Sequence, residues 1–325
     1  MSLYYITGGA QKANAAELEE FQGYERGLLL ALDRDSGSVE KLLEYKSPPE
    51  VCPQPDPGAL FKAGEIEAGR LYLCTPTEVL IYALPGLELE HYISLPSFND
   101  LHHVRPTPGG NLLVTVTGLD MVQEISLSGE VLREWDVLGE PLWSRFSRDI
   151  DYRRVASTKP HRSHPNYAFY LGGEIWVTRF QQRDAVCLTK SGRRIAIDAG
   201  LPHDGIVAGG RVYFTTVNGC VVAADTATRE IVRTVTVSQG LKRPGWCRGL
   251  CVTGKSTAVV GFSMLRQTRW KDNLSWLKGG INAIKNTINA PASISEIDLD
   301  SGETLWSENL DRWGMSTVFS IHRVD

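Results

Sequence analysis

Seven histidines are spread unevenly over the 325 residues. Five fall in three short strings, FNDLHHV (98–104), KPHRSHPNY (159–167) and LPHDG (201–205), and only His91 and His322 lie elsewhere. Three segments that each bring one imidazole to a common point would hold a divalent transition ion and leave positions open for water or substrate. His103, His164 and His203 are the candidate metal ligands, and Zn, Fe, Mn or Cu are the ions that suit them. Asp100, Asp204 and His161 are the catalytic candidates beside them, as base, fourth ligand or orienting partner. Such an ion polarises a carbonyl or lowers the pKa of a bound water. No HxH or HExxH string marks out a metal site. A metal-free histidine cluster, and histidines that only bond loop carbonyls, therefore remain open readings.

A second group carries charge. Lys62 and Arg248, with Lys159 and Arg162 near the second histidine string, would make a basic pocket on a chain of net charge −4. Such a pocket suits a small anion, because arginine offers a fork to carboxylate or phosphate and lysine a point charge. Asn166 and Trp246 join Lys62 and Arg248 as candidate substrate-binding residues. The bland alternative is that both cations are solvated loop residues.

The elements that position these residues come from an internal repeat. FKAGEIEAGRLYLCT (61–75), HVRPTPGGNLLVTVT (103–117), NYAFYLGGEIWVTRF (166–180) and HDGIVAGGRVYFTTV (203–217) are each an apolar run, a glycine turn and an alternating β-branched and aromatic run. That is the pattern of a tight hairpin. Each is followed by a second hairpin, so the unit is four antiparallel strands. ALDRDSGSVEKLLEY (31–45) and EIDLDSGETLWSENL (296–310) add two more second hairpins, the latter preceded by WCRGLCVTGKSTAVVGFS (246–263). LYYIT (3–7) and STVFSIHRV (316–324) are left as orphan strands; placing the C-terminal one innermost in the N-terminal unit completes six units and closes a ring.

The expected fold is all-β, a six-bladed β-propeller closed by the two termini, spanning 1–325 as one domain. An open pair of β-sandwiches is the alternative. In a propeller the innermost strands start together at the axis on one face. Counting back seven residues from the second glycine of each turn lands on Lys62, His103, Asn166 and His203, and a step of two further back from Asn166 reaches His164.

With its LDSGETLW-type turns and GG hairpins, nearly the whole chain resembles six-bladed propellers of the gluconolactonase, strictosidine synthase and NHL-repeat kind. The resemblance implies architecture, not activity. The gluconolactonase-like enzymes hold a divalent metal with carboxylates and asparagines at the funnel, where this chain favours histidine.

Insertions at 8–26, 138–162 and 264–292 should all emerge on the face of the candidate site. The third carries Trp270, Leu274, Leu277, Ile281 and Ile284 at helical spacing, and reads as a lid, a packed decoration, a homodimer or partner contact, or a membrane-surface helix. The second brings Trp143, Phe146 and Tyr152 as candidate pocket walls. The first suggests a short helix over AAELEEF and carries no assigned chemistry.

The balance of 34 Lys+Arg against 38 Asp+Glu, with no basic stripe, argues against nucleic-acid binding. The N-terminus has no signal-peptide pattern and no apolar run approaches 18 residues, so no transmembrane segment is expected. Six scattered cysteines suggest neither a disulfide framework nor a thiolate site, and together these features read as cytoplasmic. The function expected is a metal-dependent hydrolase, lyase or isomerase acting on a small polar, anionic metabolite. A non-catalytic scaffold and a small-ligand carrier are the alternatives.

Overall fold

In the computed structural model, which describes residues 2–15, 18, 20–55, 57–238, 245–264 and 291–324, the repeats fold into six four-stranded antiparallel sheets. Blade 2 is β4 (Glu65–Glu67), β5 (Arg70–Cys74), β6 (Val79–Ala83) and β7 (Glu88–Ile93). Blade 3 is β8 (Leu101–Pro106), β9 (Leu112–Val116), β10 (Met121–Ile125) and β11 (Val131–Asp136). Blade 4 is β12 (Pro165–Leu171), β13 (Glu174–Arg179), β14 (Asp184–Cys187) and β15 (Arg194–Ala196). Blade 5 is β16 (Pro202–Ala208), β17 (Arg211–Thr216), β18 (Cys220–Asp225) and β19 (Ile231–Thr236). Blade 6 is β20 (Trp246–Val252), β21 (Thr257–Ser263), β22 (Ser293–Asp298) and β23 (Thr304–Asn309). Blade 1 closes the ring: β24 (Thr317–Arg323) is its innermost strand, followed by β1 (Leu3–Gln11), β2 (Tyr24–Asp33) and β3 (Ser38–Tyr45). The β1–β24 ladder runs antiparallel from Tyr4 opposite Arg323 to Gly9 opposite Thr317. The six-bladed ring closed by the two termini is thus as the repeat implied.

Burial follows from radial stacking. Every residue of β9 and of β10 is buried, because a blade in the ring is covered on both faces. The outermost strands β3, β7, β11, β19 and β23 are largely exposed. The apolar residues sort into one cluster at each of the six junctions between blades, for example Tyr213, Val260 and Phe262 between blades 5 and 6 and Leu113, Ala168 and Val177 between blades 3 and 4. Burying a side chain such as Phe262 contributes roughly 1.5–3 kcal/mol. A seventh cluster of Phe21, Tyr24, Leu60 and Phe319 belongs to no junction and lies at the axis. The DRDSG, DTAT and DLDSG turns close as Asx turns, with Asp33, Asp225 and Asp298 each accepting backbone N–H groups from the next two or three residues.

The insertions differ from expectation in detail. In the first insertion Glu20–Gly23 form a short 3-10 turn, and the helix expected over AAELEEF falls in part on residues 16, 17 and 19, outside the described residues. The middle insertion packs on blade 3: Asn99 Nδ2 donates to Tyr152 O and Val155 O, each at 2.8 Å, and Trp143, Phe146 and Tyr152 join the apolar cluster between blades 2 and 3. Tyr152 is therefore core, Trp143 and Phe146 pack half-buried against it, and none of the three lines the axial cavity. The candidate lid helix falls within residues 265–290, outside the described residues. No helix among the described residues is long and apolar enough to cross a membrane, and none of the six cysteines forms a disulfide.

Candidate active site

The innermost strands begin together at one end of the axis and enclose a cavity of about 70 Å³. Lys62, Asp100, His164, His203, Trp246 and Arg248, all expected from the sequence, line it, together with His102, Lys159, Met264, Phe319 and the residues Phe21, Tyr24 and Leu60.

Backbone irregularity puts them there. The ladders slip by one residue between Leu101 and His103 in β8, between His203 and Ile206 in β16 and between Cys247 and Leu250 in β20. Asp100, His164 and Asp204 adopt positive φ values of 48°, 57° and 57°, and Gly249 one of 82°. An extra residue in a strand reverses which face the following side chains take. This is why His103, expected as a metal ligand, turns away from the cavity and His102 lines it instead. His103 is fully buried, stacks on Tyr167 at 3.6 Å between ring centres, and lies with Nε2 3.5 Å from Glu65 Oε1. Its Nδ1 accepts from the Ala168 N–H at 3.3 Å, so the proton sits on Nε2, facing Glu65. Burial, only partly opposed by Glu65, brings His103 down to about 4. Glu65 is pushed up by burial but pulled down further by His103 and Arg105, to about 2. At neutral pH this pair is a carboxylate and a neutral imidazole.

Asn166 and Asp204 also lie behind the wall. Asn166 Nδ2 donates to Pro202 O at 2.9 Å. Asp204 Oδ2 accepts from the Thr215 hydroxyl and from the Gly249 N–H at 3.1 Å, which ties the bulge carrying His203 to the bulge carrying Arg248. Burial outweighs those two hydrogen bonds and raises Asp204 to about 6. This position suits the orienting partner that was one of the roles expected of it.

Within the cavity Lys62 Nζ donates to Asp100 Oδ1 at 2.9 Å and lies 3.4 Å from His102 Nε2. His102 Nδ1 is 2.8 Å from the Asp100 carbonyl, an acceptor only, so Nδ1 carries the proton and the Nε2 lone pair faces the ammonium. Burial pushes Asp100 up, but Lys62 and the nearby imidazoles of His164 and His161 prevail and hold it at about 2. Burial drives His102, His164 and His203 well below the usual histidine range, reinforced by Lys62 and His203 at His102, by His102 and His161 at His164, and by Arg248 and Lys62 at His203. All three imidazoles are neutral at pH 7. Arg248 stacks on Phe319 at 3.6 Å, with Nε donating to Val318 O at 2.9 Å and Nη2 to the Thr317 hydroxyl.

The donor atoms closest to a metal-binding arrangement are not the expected three. Asp100, His161 and His164 each offer a ligand atom within 4.8 Å of the others, which no other group of three such residues does among the described residues. His161 Nδ1 and His164 Nδ1 are 2.8 Å apart. His161 Nε2 is 3.1 Å from Thr158 Oγ1, whose own hydrogen goes to Gly118 O at 2.6 Å. His161 therefore carries its proton on Nε2 and points the Nδ1 lone pair at His164. His203 lies apart from this set, beyond His102, at 6.2 Å between those two rings.

What holds His164 is a residue the sequence gave no reason to select. Asp120, fully buried, accepts the successive backbone N–H groups of Arg162, Ser163 and His164 at 2.9, 3.1 and 2.8 Å, and the Arg145 guanidinium at 2.9 Å. Phe21, Tyr24, Leu60 and Phe319 were likewise missed; their only signal is apolar character in segments that carried no repeat.

No family model matches the sequence, and no curated protein matches it. Among solved structures, the chain is similar to a protein of unknown function from Bacteroides caccae, at 15% identity over 100% of this chain and 99% of that one, with a TM-score of 0.60. It is similar to streptogramin B lyase at 13% identity over 95% of this chain and 88% of that one, with a TM-score of 0.50. A virginiamycin B lyase from Staphylococcus aureus matches at 13% identity over 79% of this chain and 81% of that one, with a TM-score of 0.45. At these identities the likeness is one of fold, and the chain is a six-bladed β-propeller of the same broad architecture.

Proposed function

We propose that the chain is a metal-dependent enzyme, a lyase, hydrolase or isomerase, that acts on a small anionic metabolite in the axial cavity. The observation that carries this reading is the meeting of Asp100, His161 and His164 at the rim of a cavity that also holds Lys62 and Arg248. Two nitrogens 2.8 Å apart have the spacing of neighbouring ligands on one ion with bonds of about 2.0–2.1 Å. A neutral His164 and an ionised Asp100 are the protonation states that ligation requires. His164 would have only to move its proton from Nδ1 to Nε2. Bound there, a divalent transition ion would supply a Lewis acid beside the substrate.

The chain's own residues supply the rest. Lys62 and Arg248 attract and orient the anion. His102 and His203 are neutral and can take up a proton, and an anion bound next to them raises their affinity for it. A propeller of the same fold is a lyase, so elimination belongs among the first reactions to assay. The test is elemental analysis of protein purified without a metal-affinity column. About one equivalent of a divalent transition metal is expected in wild type and in His103→Ala, and a loss of most of it in His161→Ala and His164→Ala. Metal-free wild type after reconstitution, or undiminished metal in both ligand variants, would sink the proposal.

A further inference from the structure

The cavity has two unlike halves, contributed by different blades. Phe21, Tyr24 and Leu60 form one wall with Phe319 of β24, and these four residues pack on one another at 1–4% exposure. Asp100 and His102 of blade 3, His164 before β12 and His203 of β16 form the other. The two buried cations stand on the seam: Lys62 Nζ is 4.7 Å from the Phe319 ring centre and 2.9 Å from Asp100, and the Arg248 guanidinium stacks on the same Phe319 ring at 3.6 Å. Lys159, also at the cavity, is exposed.

From this division we infer that the ligand is a short-chain carboxylate of roughly three to five carbons, whose alkyl part lies on the Phe21–Tyr24–Leu60 wall and whose carboxylate lies on the Lys62–Arg248 seam. The inference rests on the reading of this cavity as the active site and adds the substrate class. Size sets the upper bound. At roughly 10–15 Å³ for each water-sized group, a cavity of 70 Å³ holds about five to seven non-hydrogen atoms. Chemistry selects within that size. A phosphate or a dicarboxylate would turn at least one charged oxygen towards aromatic and aliphatic carbon, where a polar atom left without a hydrogen bond is costly. An alkyl group in the same place gains the transfer of each methylene out of water, about fourfold in affinity per methylene. The first insertion, which supplies Phe21, thereby becomes the specificity element.

The experiment is calorimetric titration of the full-length protein with acetate, propionate, butyrate, hexanoate, butyramide and inorganic phosphate, with the metal content of each sample measured alongside. The expected result is a gain of two- to fourfold for each carbon from acetate to butyrate, a break in the trend by hexanoate, and binding at least tenfold weaker for butyramide and phosphate than for butyrate. Phe21→Ala should move the optimum to a longer chain. Should that variant fail to fold, the wild-type series decides alone. Equal affinities along the series, phosphate or butyramide binding as tightly as butyrate, or no binding of any probe would overturn the inference. Loss of metal with the chain-length trend intact would count against the metal-dependent reading only, and a flat series in metal-replete protein against this one only.

Discussion

Asp120 does not reach the cavity, yet more of the site's geometry depends on it than on any single residue that does. One carboxylate gathers three consecutive backbone N–H groups and so fixes His164 in a left-handed conformation that a histidine would not choose. Asp120→Asn turns an amide N–H towards donors that need an acceptor. It should lower divalent-metal affinity by about 10- to 100-fold, the range usual for partners that orient a ligand, while the far-ultraviolet spectrum stays that of the propeller. Metal competition titrations would show it, and unchanged affinity would mean that the 162–164 loop holds without it. Asp204 makes a different test, of pH. Its pKa is raised to about 6 from 3.8, so the folded protein holds a proton that the unfolded chain has released. Stability therefore falls as pH rises from about 4 to about 6 and is level above that, by an amount on the order of 2–3 kcal/mol. In Asp204→Asn that fall should be absent. Denaturant unfolding of both proteins at pH 4.5 and 7 would reveal the difference, and parallel pH profiles would contradict the assignment.

At the scale of elements, the bulges at the starts of β8, β16 and β20 decide which side chains face the axis. Gly249 is the clearest case: its φ of 82° suits glycine, and an added Cβ would come within 3.3 Å of Phe319 O and the Val318 side chain. Gly249→Ala should cost at least about 1 kcal/mol in stability and disturb Arg248, which is adjacent in the same bulge. A melting temperature equal to that of wild type would show that the bulge tolerates a side chain. The bulges also explain how far the sequence could be read. Glycine turns flanked by alternating residues are local and visible, so the blades, their closure by β24 and the face carrying the site were legible. A one-residue slip leaves no compositional trace, and counting back from Gly110 ended at His103, one residue short of the extra residue in β8. Hence His103 was chosen where His102 lines the cavity. The Asp100, His161 and Lys62 positions were legible because histidine and charge are rare enough in strand starts to stand out. Phe21 and Leu60 were not, since an apolar residue in a loop looks the same whether it covers a core or a ligand.

At the scale of the whole molecule, six wedges of apolar packing surround an axis at which five blades contribute polar groups and the sixth an aromatic ring. Lys62 comes from blade 2, Asp100 from blade 3, His164 from blade 4, His203 from blade 5, Arg248 from blade 6 and Phe319 from blade 1, so the site exists only when the ring is closed. Closure itself runs through the cavity wall, for Arg248 bonds Val318 O and Thr317, which belong to the same strand β24 that pairs with β1. This convergence brings Asp100, His161 and His164 together where they would hold the proposed metal ion. Anomalous diffraction from crystals soaked in Zn²⁺ or Co²⁺ tests it most directly. The account predicts one strong peak about 2.0–2.2 Å from Nδ1 of both His161 and His164 and from a carboxylate oxygen of Asp100. A peak bound instead to His203 or His103, or no peak at the axis, would contradict it.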